Sequence, residues 1–305
     1  MIGKITVKRF LKRTAGLASS CGAAVATPPG GRSACILVYH RIADLPFVDP
    51  RLDDWNVSPV MFERQVAALA SAAEIIPLAD LPARLAEDRE SRRPLVCLTF
   101  DDGYANFSSR ALPVLLHYAA PATLFVVTDA VGREGPMPFD AWSLANAGRT
   151  TEEAWRPITW NELEQCMSSG IVDVGAHSHT HRNGLASTRM QLDEEAGRSR
   201  AILVERLGES AGRAYSYPYG SRRLGQVTDQ YIAAVAGAGF RLAVTTDLGM
   251  AGPGDDLLAL PRVEAHALDT PPVLRAKIRG VLAPYRLTDR LRRAKRTAPS
   301  SARGE

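Results

Sequence analysis

The chain alternates short apolar runs, bounded by proline, glycine or charge, with longer segments in which apolar residues recur at helical spacing. Residues 34–40 (ACILVYH), 95–102 (LVCLTFDD) and 171–176 (IVDVGA) are runs of the first kind, nearly continuous in apolar character, as strands covered on both faces are. Between the first two, Ser58-Pro59 supplies an N-cap followed by proline at the first helical position. Phe62, Val66, Leu69 and Ala70 then follow at helical spacing. A strand over 74–78 and a short helix over 80–85 lead into the strand over 95–102, and a helix over 104–117 and a strand over 122–128 come after it. Thr159-Trp160-Asn161-Glu162 is a capping box, and Gly170 stops the helix it opens. Thr188 starts a helix to about residue 207, with Leu192, Ala196, Ile202 and Leu203 on its buried stripe. A strand and turn over 214–220, a helix over 227–238 and strands over 242–246 and 260–265 complete the pattern. About seven to eight strands alternating with helices predict one α/β domain built as a parallel, barrel-like sheet. No internal repeat is visible.

One segment breaks the alternation. Residues 132–156 are rich in glycine and proline and contain Trp142 and Trp155. A connection of this length in a compact domain is more often functional than idle. Exposed indoles there would suit stacking on sugar rings, and the alternative is that both pin the loop to the body.

Length and composition narrow the class. With 305 residues and 46% hydrophobic side chains the chain can bury a full core, which excludes disorder throughout. The net charge of +4 gathers at the ends, within 4–13 and 286–296. That suits peripheral contact with an anionic membrane surface or polymer better than nucleic-acid reading, for which no motif is present. Lys4, Lys8, Arg9, Lys12 and Arg13 precede a weakly apolar stretch, 15–26, that ends in A-x-A before Pro28 and Pro29. The pattern is signal-like, but its apolar part is rich in Ala, Gly and Ser, so a basic lead helix or arm competes with it. A cytoplasmic or inner-membrane-peripheral location is favoured over export. The expected organisation is a basic arm over 1–33, one domain over 34–282 and a basic tail over 283–305, where Leu287 and Leu291 lie among arginines. Cys21, Cys35, Cys97 and Cys166 lack paired metal spacing, and Cys35 and Cys97 read as small buried hydrophobes.

Candidate chemistry sits at the C-terminal ends of the strands. The run 95–102 delivers Asp101 and Asp102, two adjacent carboxylates whose repulsion is relieved if a cation or donor holds one of them ionised. The run 171–176 delivers His177-Ser178-His179-Thr180-His181, three of the six histidines in five residues, and the run 34–40 ends on His40. Imidazoles four apart, joined by a carboxylate, make a two-His, one-carboxylate set that suits Zn²⁺ or another divalent first-row metal. His179, between the proposed ligands, reads as a loop hydrogen-bonder and His117 as structural; His266, after the last strand, stays open.

The order TFDDG, then HSxxH, then Pro218-Tyr219-Gly220 resembles the polysaccharide deacetylase family, the NodB-homology domain. The likeness runs from about residue 34 to 282. The opening ILVYHRI and the later NVSPxxF resemble the subgroup of poly-N-acetylglucosamine deacetylases. The resemblance implies a distorted (β/α) barrel and metal-dependent hydrolysis of N-acetyl groups on an N-acetylhexosamine polymer or lipid-linked amino sugar. It implies one divalent ion, Zn²⁺ first with Co²⁺, Ni²⁺ or Fe²⁺ as alternatives, held by Asp102, His177 and His181. Asp101 would be the general base, His40 the general acid, and the Tyr219 N–H an oxyanion donor. One position departs from the pattern: many members carry an arginine two residues before the Pro-Tyr, where this chain has Ser216. Arg262 matches an arginine of the subgroup and is the candidate to orient the base in its place, with Arg213 as the other.

Two other readings remain beside this one. The same site would suit hydrolysis of an ester or a different C–N bond. A noncatalytic carbohydrate-binding module is the third reading, and the presence of Asp101, Asp102, His177, His181 and His40 together argues against it.

Overall fold

The computed structural model describes residues 33–45, 55–87 and 93–281. The signal-like stretch and arm over 1–32, Cys21 and the tail over 283–305 lie outside the described residues. Among the described residues no helix is long and apolar enough to cross a membrane.

Seven parallel strands close on themselves: β1 (Ala34–Tyr39), β5 (Leu95–Phe100), β6 (Ala122–Val126), β7 (Val172–Ala176), β8 (Ala214–Ser216), β9 (Leu242–Leu248) and β10 (Leu260–Glu264). Closure is made by β1, which pairs with β5 from Ala34↔Leu95 to Tyr39↔Phe100 on one edge and with β10 on the other. The two-residue β4 (Glu74–Ile75) lies on the lower half of β5, and β2 (Arg41–Ile42) pairs with β3 (Asn56–Val57) in a separate ribbon. The expected parallel barrel is present as a single domain. Pro77 ends β4 early, because it brings no N–H to a ladder and leads into a 3₁₀ turn at Leu78–Asp80, so the expected strand over 74–78 is short.

Helices pack around the barrel: α1 (Pro59–Ala72), α2 (Leu81–Ala86), α3 (Leu112–His117), α4 (Ala141–Asn146), α5 (Trp160–Ser168), α6 (Arg189–Leu207), α7 (Asp229–Ala238) and α8 (Pro271–Lys277). The caps read from sequence form as expected: Ser58 accepts from the Met61 N–H, and Thr159/Glu162 and Thr188/Gln191 are reciprocal capping boxes. The helix expected over 104–117 begins instead as a π-helical segment, Phe107–Ala111, and becomes α-helical at Leu112. Pro113 has no N–H for the regular ladder at the switch.

The period of two along the strands sorts their side chains into two sets. Cys35, Leu37, Tyr39, Val96, Leu98 and Phe100 join the core between sheet and helices. Ala34, Ile36, Leu95, Cys97, Phe125, Ala214, Leu242, Val244 and Leu260 form a second cluster that plugs the barrel. At Gly175 any Cβ would stand 2.7 Å from the Phe125 ring, so the plug needs a glycine there. Counting on in twos, the plug's series reach Thr99 in β5 and Asp101 after it, Arg262 in β10, Ser216 in β8, His177 after β7 and His40 after β1. The same alternation that builds an apolar floor therefore builds a polar mouth at the strands' C-terminal ends.

Candidate active site

Asp101 is buried at that mouth, and its carboxylate accepts three hydrogen bonds from two neighbours. Arg262 donates from Nη1 to Oδ1 at 2.8 Å and from Nη2 to Oδ2 at 2.6 Å, while Ser216 Oγ donates to Oδ2 at 3.1 Å. The guanidinium is itself fixed: Nε donates to the Thr245 carbonyl, Nη1 to Thr99 Oγ1 and Nη2 to Ser216 Oγ. Burial alone would raise the Asp101 pKa, but the Arg262 charge, helped by His177, outweighs it and holds the carboxyl down at about 2. Ser216, the residue that departs from the family pattern, is thus the bridge between Asp101 and Arg262. Arg213 is exposed just before β8, at the opposite end of that strand, and is not brought to the site.

Asp102 follows at φ 73° and ends the strand two residues earlier than expected. Its Oδ1 lies 3.4 Å from His177 Nε2 and 3.5 Å from His181 Nε2. Burial opposes its ionisation, yet the two imidazoles hold its pKa well below the usual carboxylate range. One ligand atom from each of Asp102, His177 and His181 lies within 4.8 Å of the others, the group of metal-ligand type found among the described residues. Two donors each about 2.0–2.1 Å from a tetrahedral ion stand roughly 3.3–3.4 Å apart, so this spacing fits a shared cation. The contacts behind the ligands agree. His177 Nδ1 meets the Ser216 carbonyl at 2.8 Å, which leaves Nε2 free to coordinate, and Phe139 stacks on the His181 ring with centroids 4.1 Å apart. The donor set therefore fits a divalent metal.

His40 stands at the end of β1, its ring edge-on to half-exposed Trp55 with centroids 4.4 Å apart. It lies one residue past the end of β1, in the inward series of that strand, and so at the same mouth. Burial dominates and lowers its pKa against the pull of the two aspartates. Tyr219 lies at φ 61° with its carbonyl fixed by Thr246 Oγ1, and its N–H has no acceptor among the described residues. Among the described residues, four of the five non-glycine residues at positive φ, namely Asp102, Ser178, His181 and Tyr219, belong to this rim. Backbone strain of about 1–3 kcal/mol per residue persists only where the surroundings over-determine it.

The remaining histidines are elsewhere. His179 is buried, its Nδ1 2.9 Å from Thr128 Oγ1, and His117 packs on Tyr118. His266 lies beside Glu264 at 3.3 Å, with its backbone N–H on Asp269. Trp142 overturns the sugar-stacking expectation for residues 132–156. It is 2% exposed beneath the Arg41 guanidinium, which lies 4.1 Å from its ring and donates to Asp140, and Trp155 packs beside it. The indoles anchor the loop. Trp55, Phe139 and Glu195 were not picked out by the sequence reading; for Glu195 the signal was a carboxylate in register with the buried stripe of α6.

The comparisons with known proteins point the same way. The family model described as polysaccharide deacetylase matches residues 88–243. The Bacillus subtilis (strain 168) protein YxkH, which carries a polysaccharide deacetylase designation, is 26% identical over 59% of this chain; the chain spans 54% of that protein's length. A poly-beta-1,6-N-acetyl-D-glucosamine N-deacetylase of Staphylococcus aureus (strain MRSA252) is 22% identical over 76% of the chain and 78% of its own length. Among solved structures, IcaB from Ammonifex degensii superposes with a TM-score of 0.64 at 25% identity, covering 81% of this chain and 98% of that one. The Streptococcus pyogenes deacetylase PplD, in complex with acetate, superposes with the same score at 21% identity and covers 80% of this chain and 97% of that one. With a matching family model over half its length, a closed parallel barrel and the motifs converging at its mouth, this chain belongs to the polysaccharide deacetylase family.

Proposed function

We propose that this chain is a metal-dependent N-deacetylase that removes acetyl groups from an N-acetylhexosamine polymer, releasing acetate and a free amino sugar. One observation carries the reading: the donor atoms of Asp102, His177 and His181 converge within 4.8 Å beside a carboxylate, Asp101, held by Arg262. The likeness to the staphylococcal enzyme supports a poly-N-acetylglucosamine type of substrate.

A divalent ion, Zn²⁺ in the first instance, would be held by those three side chains and would supply Lewis acidity to polarise the amide carbonyl and acidify a water. The chain's own groups do the rest. Asp101, ionised and fixed in direction by Arg262 and Ser216, takes the proton of the attacking water. The Tyr219 N–H donates to the carbonyl oxygen as negative charge develops on it. An amine leaves only once protonated, and His40 delivers that proton to the amide nitrogen from its imidazolium form, which burial disfavours and the charges of Asp102 and Asp101 favour.

The test is acetate release by the full chain from poly-β-1,6-N-acetylglucosamine oligomers, chitin oligomers and peptidoglycan fragments, with and without chelator. Release that chelator abolishes and Zn²⁺ restores is expected. Release unaffected by exhaustive chelation, or hydrolysis confined to esters or cyclic amides, overturns the proposal.

A further inference from the structure

Both histidines of the proposed metal set sit on one five-residue turn, 177–181, that is costly to hold. Ser178 has φ 62° and His181 φ 61°, conformations that L side chains avoid. Local contacts stabilise part of it: the His181 N–H donates to Ser178 Oγ, and Thr128 and Asp129 donate backbone N–H groups to the Ser178 and His179 carbonyls. The backbone N–H groups of His179 and Thr180, in the middle of the turn, donate instead to a side chain on α6.

Glu195 receives them. From α6 its Oε2 accepts the His179 N–H at 2.9 Å and the Thr180 N–H at 2.8 Å, while its Oε1 accepts the Thr180 hydroxyl at 2.5 Å. The side chain is 4% exposed and shares the buried stripe of α6 with Leu192, Ala196, Ser199 and Leu203, so its position is set by helix packing. Arg182, at 3.7 Å, is the nearby cation. A buried carboxylate is costly unless donors surround it, and here two of the donors are consecutive peptide N–H groups between the two ligands.

We propose that Glu195 is a positioning residue for the metal set: by holding the 179–180 peptides from behind, it fixes the strained turn that brings His177 Nε2 and His181 Nε2 onto Asp102. It touches neither substrate nor ion, and it acts through the turn. The inference rests on the metal reading of the preceding section and assigns that site a support on α6.

The experiment is Zn²⁺ affinity of the full chain, measured in competition with a chromophoric chelator, for wild type, Glu195→Ala and Glu195→Gln, with circular dichroism to verify folding. Glutamine can still offer Oε1 to the two N–H groups and let its amide donate to the Thr180 hydroxyl, so it is the conservative rescue. Glu195→Ala is expected to bind Zn²⁺ about 10–100-fold more weakly and Glu195→Gln to stay near wild type. A folded Glu195→Ala with wild-type affinity overturns the inference, and so does Glu195→Gln as weak as Glu195→Ala. If Glu195→Ala does not fold, Glu195→Asp, whose shorter side chain draws the carboxylate back from the two peptide N–H groups, takes its place; weaker binding supports the role and unchanged binding overturns it. A wild-type chain that binds no Zn²⁺ would instead sink the metal reading itself.

Discussion

Arg262 and Asp101, 161 residues apart in the chain, form a two-pronged ion pair in the mouth of the barrel, with N–O distances of 2.8 and 2.6 Å. The planar guanidinium matches both carboxylate oxygens at once, so it fixes the plane of the carboxyl as well as its charge.

Arg262→Lys keeps a positive charge but loses the fork. Turnover is expected to fall roughly 10²-fold while bound metal stays the same, as read by acetate release alongside metal analysis. Arg262→Leu strands a buried carboxylate and is expected to cost about 3–5 kcal/mol of stability in urea unfolding. A lysine variant with wild-type turnover would show that the fork does not orient the base.

The two aspartates are separable by metal content. Asp102→Asn or His177→Ala is expected to lose bound metal and activity together. Asp101→Asn should retain the metal and lose about 10²–10⁴-fold in turnover. Full metal occupancy in Asp102→Asn would refute its assignment as a ligand.

His40→Ala is expected to suppress turnover with metal content unchanged, because the amine then leaves without its proton. A wild-type rate in that variant would refute His40 as the acid.

Glu162 gives a pH-dependent prediction far from the chemistry. Burial works against its charge, but bonds from Arg156 and from the Thr159 N–H and hydroxyl prevail and lower its pKa. A carboxyl whose pKa is depressed on folding contributes stability above its unfolded pKa and loses it as pH falls through the folded value. Glu162→Gln should therefore melt below wild type at pH 7, and the gap should shrink as the pH is lowered through and below the ordinary carboxylate range. An equal gap at both ends would refute the electrostatic origin.

The strand exits were legible, because short apolar runs end on His40, on Asp101 and Asp102, and just before His177. That His40, Asp101, His177, Ser216 and Arg262 share the inward series of their strands was not, since runs apolar on both faces do not show which face turns inward until the plug is known. Caps were as legible as the exits, since a Thr with Glu or Gln three residues on has one local use. The misses are tertiary. Whether Trp142 stacks on sugar or pins its loop stays open in the sequence, because its burial depends on Arg41, which belongs to the neighbourhood of β1 about a hundred residues away. The strand after Leu95 stops early because Asp102 turns to positive φ for its neighbours' sake, a constraint no local propensity carries. Glu195 interrupts no helical signal, and its partners lie on another element.

Because the barrel is shut by its first strand gripping its last, ribosomal order matters for the charges inside it. A nascent chain that has emerged only as far as β9 holds Asp101 without the guanidinium that neutralises it and leaves an edge of β1 unpaired. Arrival of β10 ends both faults in one event, so a competent site and a sealed sheet come into being together, and a prematurely terminated product is left with neither.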